Sequence, residues 1–368
     1  MEVYLITIFI LFAFSLHELI SYNEKMKKLF LFFSFLLMVI VVGLRWETGT
    51  DWDSYLNTFE NSEDLWSVFL DRTNMEKGYL FLNLIIRLIT DNYSFLLVIL
   101  AVLMYYFLIR TFQKLTEYPQ LTLLLFFSST LGSMGSNRQL LAVSICLFAL
   151  TFLLEGKKLP FIGLVAASFT FHTSSLLFSV YFFFNRKIKS LFLYLAVGVA
   201  FVIGKTQLPY MLFSMFGGIN EFASDKTSQY LDSAKETLQS FELSVSGLIK
   251  RLIFLFIFIF LRDKISAKLP HYNLILNGYV MGTVLYFLFS NTLLVMVSRG
   301  SIYFSIMEPI LLTSILYILR RDIDKLLYIF LMMAFGLLLM YQNISPYPDL
   351  FDPYKGLFIN TNFHRFMY

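Results

Sequence analysis

The sequence predicts an all-α polytopic membrane protein, a bundle of about 10–12 transmembrane helices of which some are broken or re-entrant. Three observations carry this. Of 368 residues, 58% are hydrophobic and 15% charged, with 43 Phe and a mean hydropathy of +0.69, whereas soluble domains carry about 25% charged residues. The apolar residues fall into runs near the roughly 20 residues that cross a hydrocarbon core. Short segments rich in Lys and Arg separate the runs, as the loops of a membrane bundle do. A single transmembrane domain, residues 1–368, is expected, because the length rule for soluble chains does not apply to such a bundle. The net charge of +4 includes no long basic run, so nucleic acid is not an expected partner. Cys146, the only cysteine, lies in an apolar run, which excludes intrachain disulfides and Cys-based zinc sites.

In chain order, Val3–Ile20 has no basic segment before it and no small-residue cleavage site after it, so it reads as a retained helix rather than a signal peptide. Further spans are expected at Leu29–Leu44, Tyr93–Ile109, Gln120–Leu131, Leu140–Leu154, Ser190–Gly204, Gly247–Leu261, His271–Phe289, Ser301–Leu319 and Leu326–Gln342. Two pieces break the pattern. Gly78–Ile89 is too short to span, and Leu159–Phe184 is interrupted by His172, Thr173, Ser174 and Ser175.

Six short loops hold more than half of the 29 Lys and Arg: Lys25/Lys27/Lys28, Arg110/Lys114, Lys157/Lys158, Arg186/Lys187/Lys189, Arg262/Lys264/Lys268 and Arg320/Arg321/Lys325. The positive-inside rule places all six in the cytoplasm. Parity then requires Leu159–Phe184 to enter and leave on the cytoplasmic side with His172 at its tip. It also requires Gly78–Ile89 to be re-entrant, or a half-helix on the outer side. Both termini and the loops at 45–77 and 205–246 face outward. Within the second loop, amphipathic Glu221–Phe241 reads as an interfacial lid or as a solvated loop. Broken helices survive at membrane depth where protein or a water-filled cavity satisfies the freed backbone groups, so two of them predict a cavity open to the outside.

Arg45, Arg138, Arg251 and Arg299 each end an apolar run, and this topology puts all four on the outer side. A cation at the edge of a bilayer core is costly and marks a ligand site. Together the four predict a cationic pocket for an anionic, phosphorylated, lipid-linked substrate; singly, each could be a snorkelling anchor. Ser136 and Gln139 have capping-box spacing, which starts a helix at Asn137 with Arg138 in its first turn. A helix N-terminus favours anions, so Asn137, Arg138 and Gln139 are expected at a phosphate. Asp51 and Asp53 read as ion-pair partners of Arg45 or Arg138, with a divalent-metal site as the alternative. His172 could accept a proton from a hydroxyl or be a hydrogen-bonded packing residue. Glu76, before Gly78 and Tyr79, could orient an arginine or bind hydroxyls.

The ordered set Arg45…Gly49-Thr50-Asp51…Tyr55, Glu76-x-Gly78-Tyr79, Asn137-Arg138-Gln139-x-x-Ala142 and Phe171-His172-x-Ser174 resembles the EpsG family of bacterial exopolysaccharide proteins, which are similar to Wzy-type O-antigen and capsule polymerases. Arg299 and a tail holding Pro346-Tyr347 and Pro353-Tyr354 look like the same pattern, and the resemblance runs over nearly the whole chain. It implies a GT-C-like, inverting glycosyltransferase of the bacterial inner (plasma) membrane, working on the periplasmic or outer face with no metal and no cofactor. Donor and acceptor would be undecaprenyl-pyrophosphate-linked repeat units, joined into O-antigen of lipopolysaccharide, capsule or exopolysaccharide. A chain-length regulator and membrane lipid would be further partners. Arg45, Arg138, Arg251, Arg299, Asn137 and Gln139 would hold the pyrophosphate, and His172, Asp51, Asp53 or Glu76 would take the proton of the attacking hydroxyl. Two rivals stay open. A flippase or transporter of lipid-linked oligosaccharides should expose charges to both sides in turn, and a membrane O-acyltransferase would need a catalytic His and an acyl-donor site.

Overall fold

Apolar runs of this composition build helices, and in the computed structural model the described regular elements are all α-helix or 3-10 helix. The structure describes all residues except 22, 67–74, 217–244, 364 and 366–368. The amphipathic stretch at 221–241 lies outside the described residues, as do parts of both expected outer loops. The chain is a polytopic all-α membrane protein. Seven described helices are long and apolar enough to cross a membrane: Glu2–Ile20, Glu24–Gly43, Tyr93–Leu115, Asn137–Leu154, Tyr272–Phe289, Met296–Tyr317 and Asp322–Ile344. Ser190–Gly204 and Leu208–Met215, bent by 88°, make an eighth if taken as one span. Segments that the sequence suggested as further spans are shorter: Pro119–Thr130 has 12 residues and Val245–Phe260 has 16. A 12-residue helix reaches only about 18 Å.

Two compact units divide the chain, Met1–Leu176 with Leu319–Tyr368, and Leu177–Ile318. In the first, the helices are α1 (Glu2–Ile20), α2 (Glu24–Gly43), α3 (Trp52–Glu60), α4 (Lys77–Arg87), α5 (Tyr93–Leu115), α6 (Pro119–Thr130), α7 (Asn137–Leu154) and α8 (Lys158–Phe169), followed late in the chain by Asp322–Ile344. Helix α5 packs on α2 and α7, α7 on α8, and α6 between α1 and Asp322–Ile344. That enclosure explains why α6 is buried almost all round and tolerates its short length, since protein rather than lipid surrounds it. The expected half-helix is present as α4, 11 residues long. The expected interruption is also present: α8 stops at Phe169, and a 3-10 helix runs Thr173–Phe183.

The ends of the first unit are chemically distinct. Lys114 at the end of α5 lies 2.5 Å from Glu155, just past α7, and with Lys157 it holds that exposed carboxyl down at about 2. Glu18 near the end of α1 accepts the Gln120 amide at 3.2 Å, at the start of α6. Asn343, at the far end of its helix, donates to Ser128 O at the far end of α6 (3.2 Å). The basic loops 25–28, 110–114, 157–158 and 320–325 therefore share one end of this unit. Arg45, Glu76, Arg138 and the tail share the other, where Leu357 N donates to Leu44 O at 3.0 Å. In the second unit the two remaining basic loops also meet: Lys187 pairs with Asp263 at 2.7 Å, and Arg262 donates to Ile188 O at 2.5 Å.

In membrane vesicles of a Cys146→Ser variant, a membrane-impermeant maleimide is expected to label Lys157→Cys and Tyr347→Cys from opposite sides. Labelling of both from one side would refute the separation of the two ends.

Candidate functional site

Helix α7 begins at Asn137, as the sequence predicts, with Ser136 at the N-cap position. The reason differs from the expected capping box, because the Ser136 side chain makes no cap hydrogen bond. The turn ahead of the helix is set by close backbone packing. Gly49 has φ +90°, and a Cβ on it would stand 2.6 Å from Gly135 Cα. Only a pair of glycines lets the 45–53 loop lie against the 131–136 turn.

Arg138, in the first turn of α7, reaches across to α3 and α4. Its Nη1 pairs with Glu76, its Nε donates to the Tyr55 hydroxyl at 3.3 Å, and its Cζ stands 5.4 Å from the Tyr55 ring centroid. The second Glu76 oxygen accepts the Thr173 N–H at 3.2 Å and the Thr173 hydroxyl at 3.4 Å. The pair is largely buried, with side chains 17% and 8% exposed. Burial pushes the Tyr55 phenol above its ordinary range although Arg138 pulls the other way, so the hydroxyl stays neutral. Glu76 occupies the N-cap of α4, and that helix can start there because position 78 is glycine: Gly78 N donates to Thr170 O at 2.8 Å, and a Cβ would lie 2.2 Å from Thr170 Oγ1.

Arg45 is 2% exposed. It donates through Nη2 to Asn137 Oδ1 and through Nη1 to Val42 O, while its Nε has no partner. A void of about 10 Å³ adjoins it, room for about one water. The following loop pairs with the tail: Trp46 N donates to Lys355 O at 2.9 Å, and Glu47 accepts from buried Lys355 (2.7 Å) and from the Arg365 N–H (3.2 Å). Sequence reasoning missed this tail contact, which links residues some 310 positions apart in the chain.

Asp51 and Asp53 are not the counter-ions that the sequence suggested. Arg138 takes Glu76 and Arg45 takes an amide, while neither aspartate forms an ion pair among the described residues. The cause is the face of α3: Trp52, Tyr55 and Phe59 turn inward and leave Asp53 exposed. Asp51 accepts from the Thr50 hydroxyl at 3.2 Å. Among the described residues no three His, Cys, Asp or Glu side chains converge. Asp53 instead lines a cavity of about 400 Å³ walled by Gly49, Thr50 and the tail residues Pro346–Leu350, within the range of small-molecule sites. His172 is buried, with Nδ1 2.7 Å from Ser174 Oγ, and Gln139 is buried in α7.

Arg251 and Arg299 both belong to the second unit. The Arg251 Cζ stacks 3.7 Å from the Tyr286 ring centroid and its Nη1 donates to Gly247 O at 3.1 Å. Beside it, Lys250 pairs with Glu308 at 2.9 Å. Arg299 does not open a helix as expected; the span Met296–Tyr317 is interrupted by a turn at Gly300, and Arg299 ends the short helix Leu294–Arg299 ahead of that turn and is exposed. A cation in a last helical turn complements the dipole, whereas in a first turn it opposes it.

A family model described as the EpsG family matches residues 28–355. Comparisons with curated proteins and with solved structures find no match.

Removing one partner of a buried ion pair leaves an uncompensated charge and costs about 3–5 kcal/mol. Glu76→Ala is therefore expected to lower the thermal unfolding midpoint of the purified protein in detergent, and Glu76→Ala/Arg138→Met to recover most of the loss. A double variant no more stable than the single one would show that the unpaired guanidinium is not the cause.

Proposed function

The chain belongs to the EpsG family, membrane proteins like the Wzy-type polysaccharide polymerases, and on that premise we propose that it joins undecaprenyl-pyrophosphate-linked oligosaccharide repeat units as an inverting, GT-C type glycosyltransferase. The observation that carries this reading is Arg138, a guanidinium held by Glu76 and Tyr55 at the N-terminus of α7. Negative charge on the departing pyrophosphate grows as the glycosidic bond breaks. A fixed cation at a helix N-terminus stabilises that charge without reorganising. Arg45 is sealed from solvent and acts through Asn137, which it orients. Gln139 completes the first turn, and Arg251 and Arg299, both in the second unit, keep the anion-binding role assigned from the sequence.

The attacking hydroxyl needs a base. Glu76 is committed to Arg138 and Thr173, so both of its oxygens are already engaged. It is a positioning residue in this scheme. Asp51 is engaged by Thr50, whereas Asp53 faces an open cavity, so Asp53 takes the proton; His172 is the second candidate, placed beside the Glu76 contact through Thr173. Cations of the chain take the part that a metal plays in many phosphate-handling enzymes, so the reaction needs no divalent ion. With the basic end cytoplasmic under the positive-inside rule, the site opens on the outer face of the plasma membrane.

Arg138→Ala is expected to abolish polymer while single lipid-linked repeat units accumulate, and Arg138→Lys to retain under about a tenth of the rate, since a point charge cannot reproduce the planar fork. Chains of normal length from Arg138→Ala at normal protein level would sink the proposal.

Purified protein supplied with lipid-linked repeat units is expected to stay active in excess EDTA, and Asp53→Asn to lose more turnover than His172→Ala. The reverse order would move the base to His172. Turnover lost in EDTA and restored by Mg²⁺ would overturn the metal-free scheme.

A further inference from the structure

The cavity of about 400 Å³ beside Asp53 has a lining unlike that expected of a pyrophosphate site. Asp53 and Asp349 bring two carboxylates to it, Thr50 a hydroxyl and Tyr347 an aromatic ring, and none of its lining residues is Lys, Arg or His. Neither carboxylate forms an ion pair among the described residues, so their acceptor oxygens are not spent on a cation. Tyr347 is 53% exposed. Proline on each side, Pro346 and Pro348, restricts the backbone that carries the ring, so presenting it costs little ordering entropy.

We propose that this cavity is a glycan subsite that takes uncharged or amino sugars and rejects acidic ones. Carboxylates are strong acceptors for hydroxyl pairs, and the apolar face of a pyranose ring packs against an aromatic ring as other apolar surfaces do. A phosphate or a uronic acid would instead meet two like charges. The inference rests on the polymerase reading for where the sugar comes from: the cavity holds the acceptor's terminal residues, with the attacking hydroxyl toward Asp53. The lipid pyrophosphate, by charge, belongs with Arg138. The tail segment Pro346–Leu350 thereby becomes a determinant of which repeat unit is extended.

The test uses full-length protein in detergent and, as probe, the oligosaccharide released by mild acid from the host's own lipid-linked repeat unit, with a galacturonate trimer as the acidic comparison. Saturation-transfer NMR is expected to show the released oligosaccharide bound by the wild type and weakened about tenfold or more in Tyr347→Ala and in Asp349→Asn. The galacturonate trimer is expected to give no signal at pH 7. Both positions are exposed, and circular dichroism and the unfolding midpoint check that the variants fold. Sugar binding that survives both substitutions, no binding to the wild type, or equal binding of the galacturonate trimer overturns the assignment. Polymer formation by the wild type is assayed in parallel. Sugar binding lost in both variants, with no polymer made by the wild type, would remove the polymerase reading and leave the glycan subsite standing.

Discussion

The ion pair between Arg138 and Glu76 is the constraint around which the first unit is arranged. Taking a guanidinium and a carboxylate out of water costs several kcal/mol per ion unless hydrogen bonds satisfy both. Here they are satisfied, on one side by Tyr55 and on the other by the Thr173 N–H and hydroxyl. The pair also answers a second electrostatic problem, since an arginine in the first turn of α7 faces the positive end of the helix dipole. One carboxylate offsets part of both positive charges and leaves the site net cationic. In doing so it ties together α4, α7 and the break after α8, adding side-chain contacts to the single backbone bond from Gly78 N to Thr170 O.

Around that pair the packing is aromatic. Trp52, Tyr55 and Phe59 of α3 and Tyr79, Leu80 and Leu84 of α4 form one buried cluster with Tyr93, Leu96 and Leu97 of α5. Two short helices thus gain through side-chain burial the stability that their lengths cannot supply. The edge of the cluster is where charge begins, and Tyr55 belongs to both: its ring lies in the apolar cluster and its hydroxyl meets Arg138.

Much of this was legible in the residues. Hydropathy and the basic loops identified the class, the half-length α4 and the interruption at His172, because each is a local property of the chain. The start of α7 was legible for a partly mistaken reason, since the capping pattern marks the right residue while the Ser136 hydroxyl goes unused. What escaped were pairings at long range. The choice of Glu76 over Asp51 or Asp53 depends on which face of α3 turns inward and on Gly78 admitting α4 against Thr170. The tail's contacts with Glu47 join the beginning and end of the chain, and no periodicity announces them. Likewise the placement of Arg299 depends on a break at Gly300 that hydropathy averages away.

The backbone contact of Gly49 with Gly135 has an evolutionary corollary. The two positions leave no room for even a methyl group on either side, so neither codon can drift alone and no compensating change at the other can restore the fit, because glycine has nothing left to remove. Apolar positions in the spans can exchange Leu, Ile and Met with little penalty when volume is kept. In distant descendants of this chain, where the spans have diverged beyond alignment, two glycines separated by about 85 residues should persist as a recognisable signature.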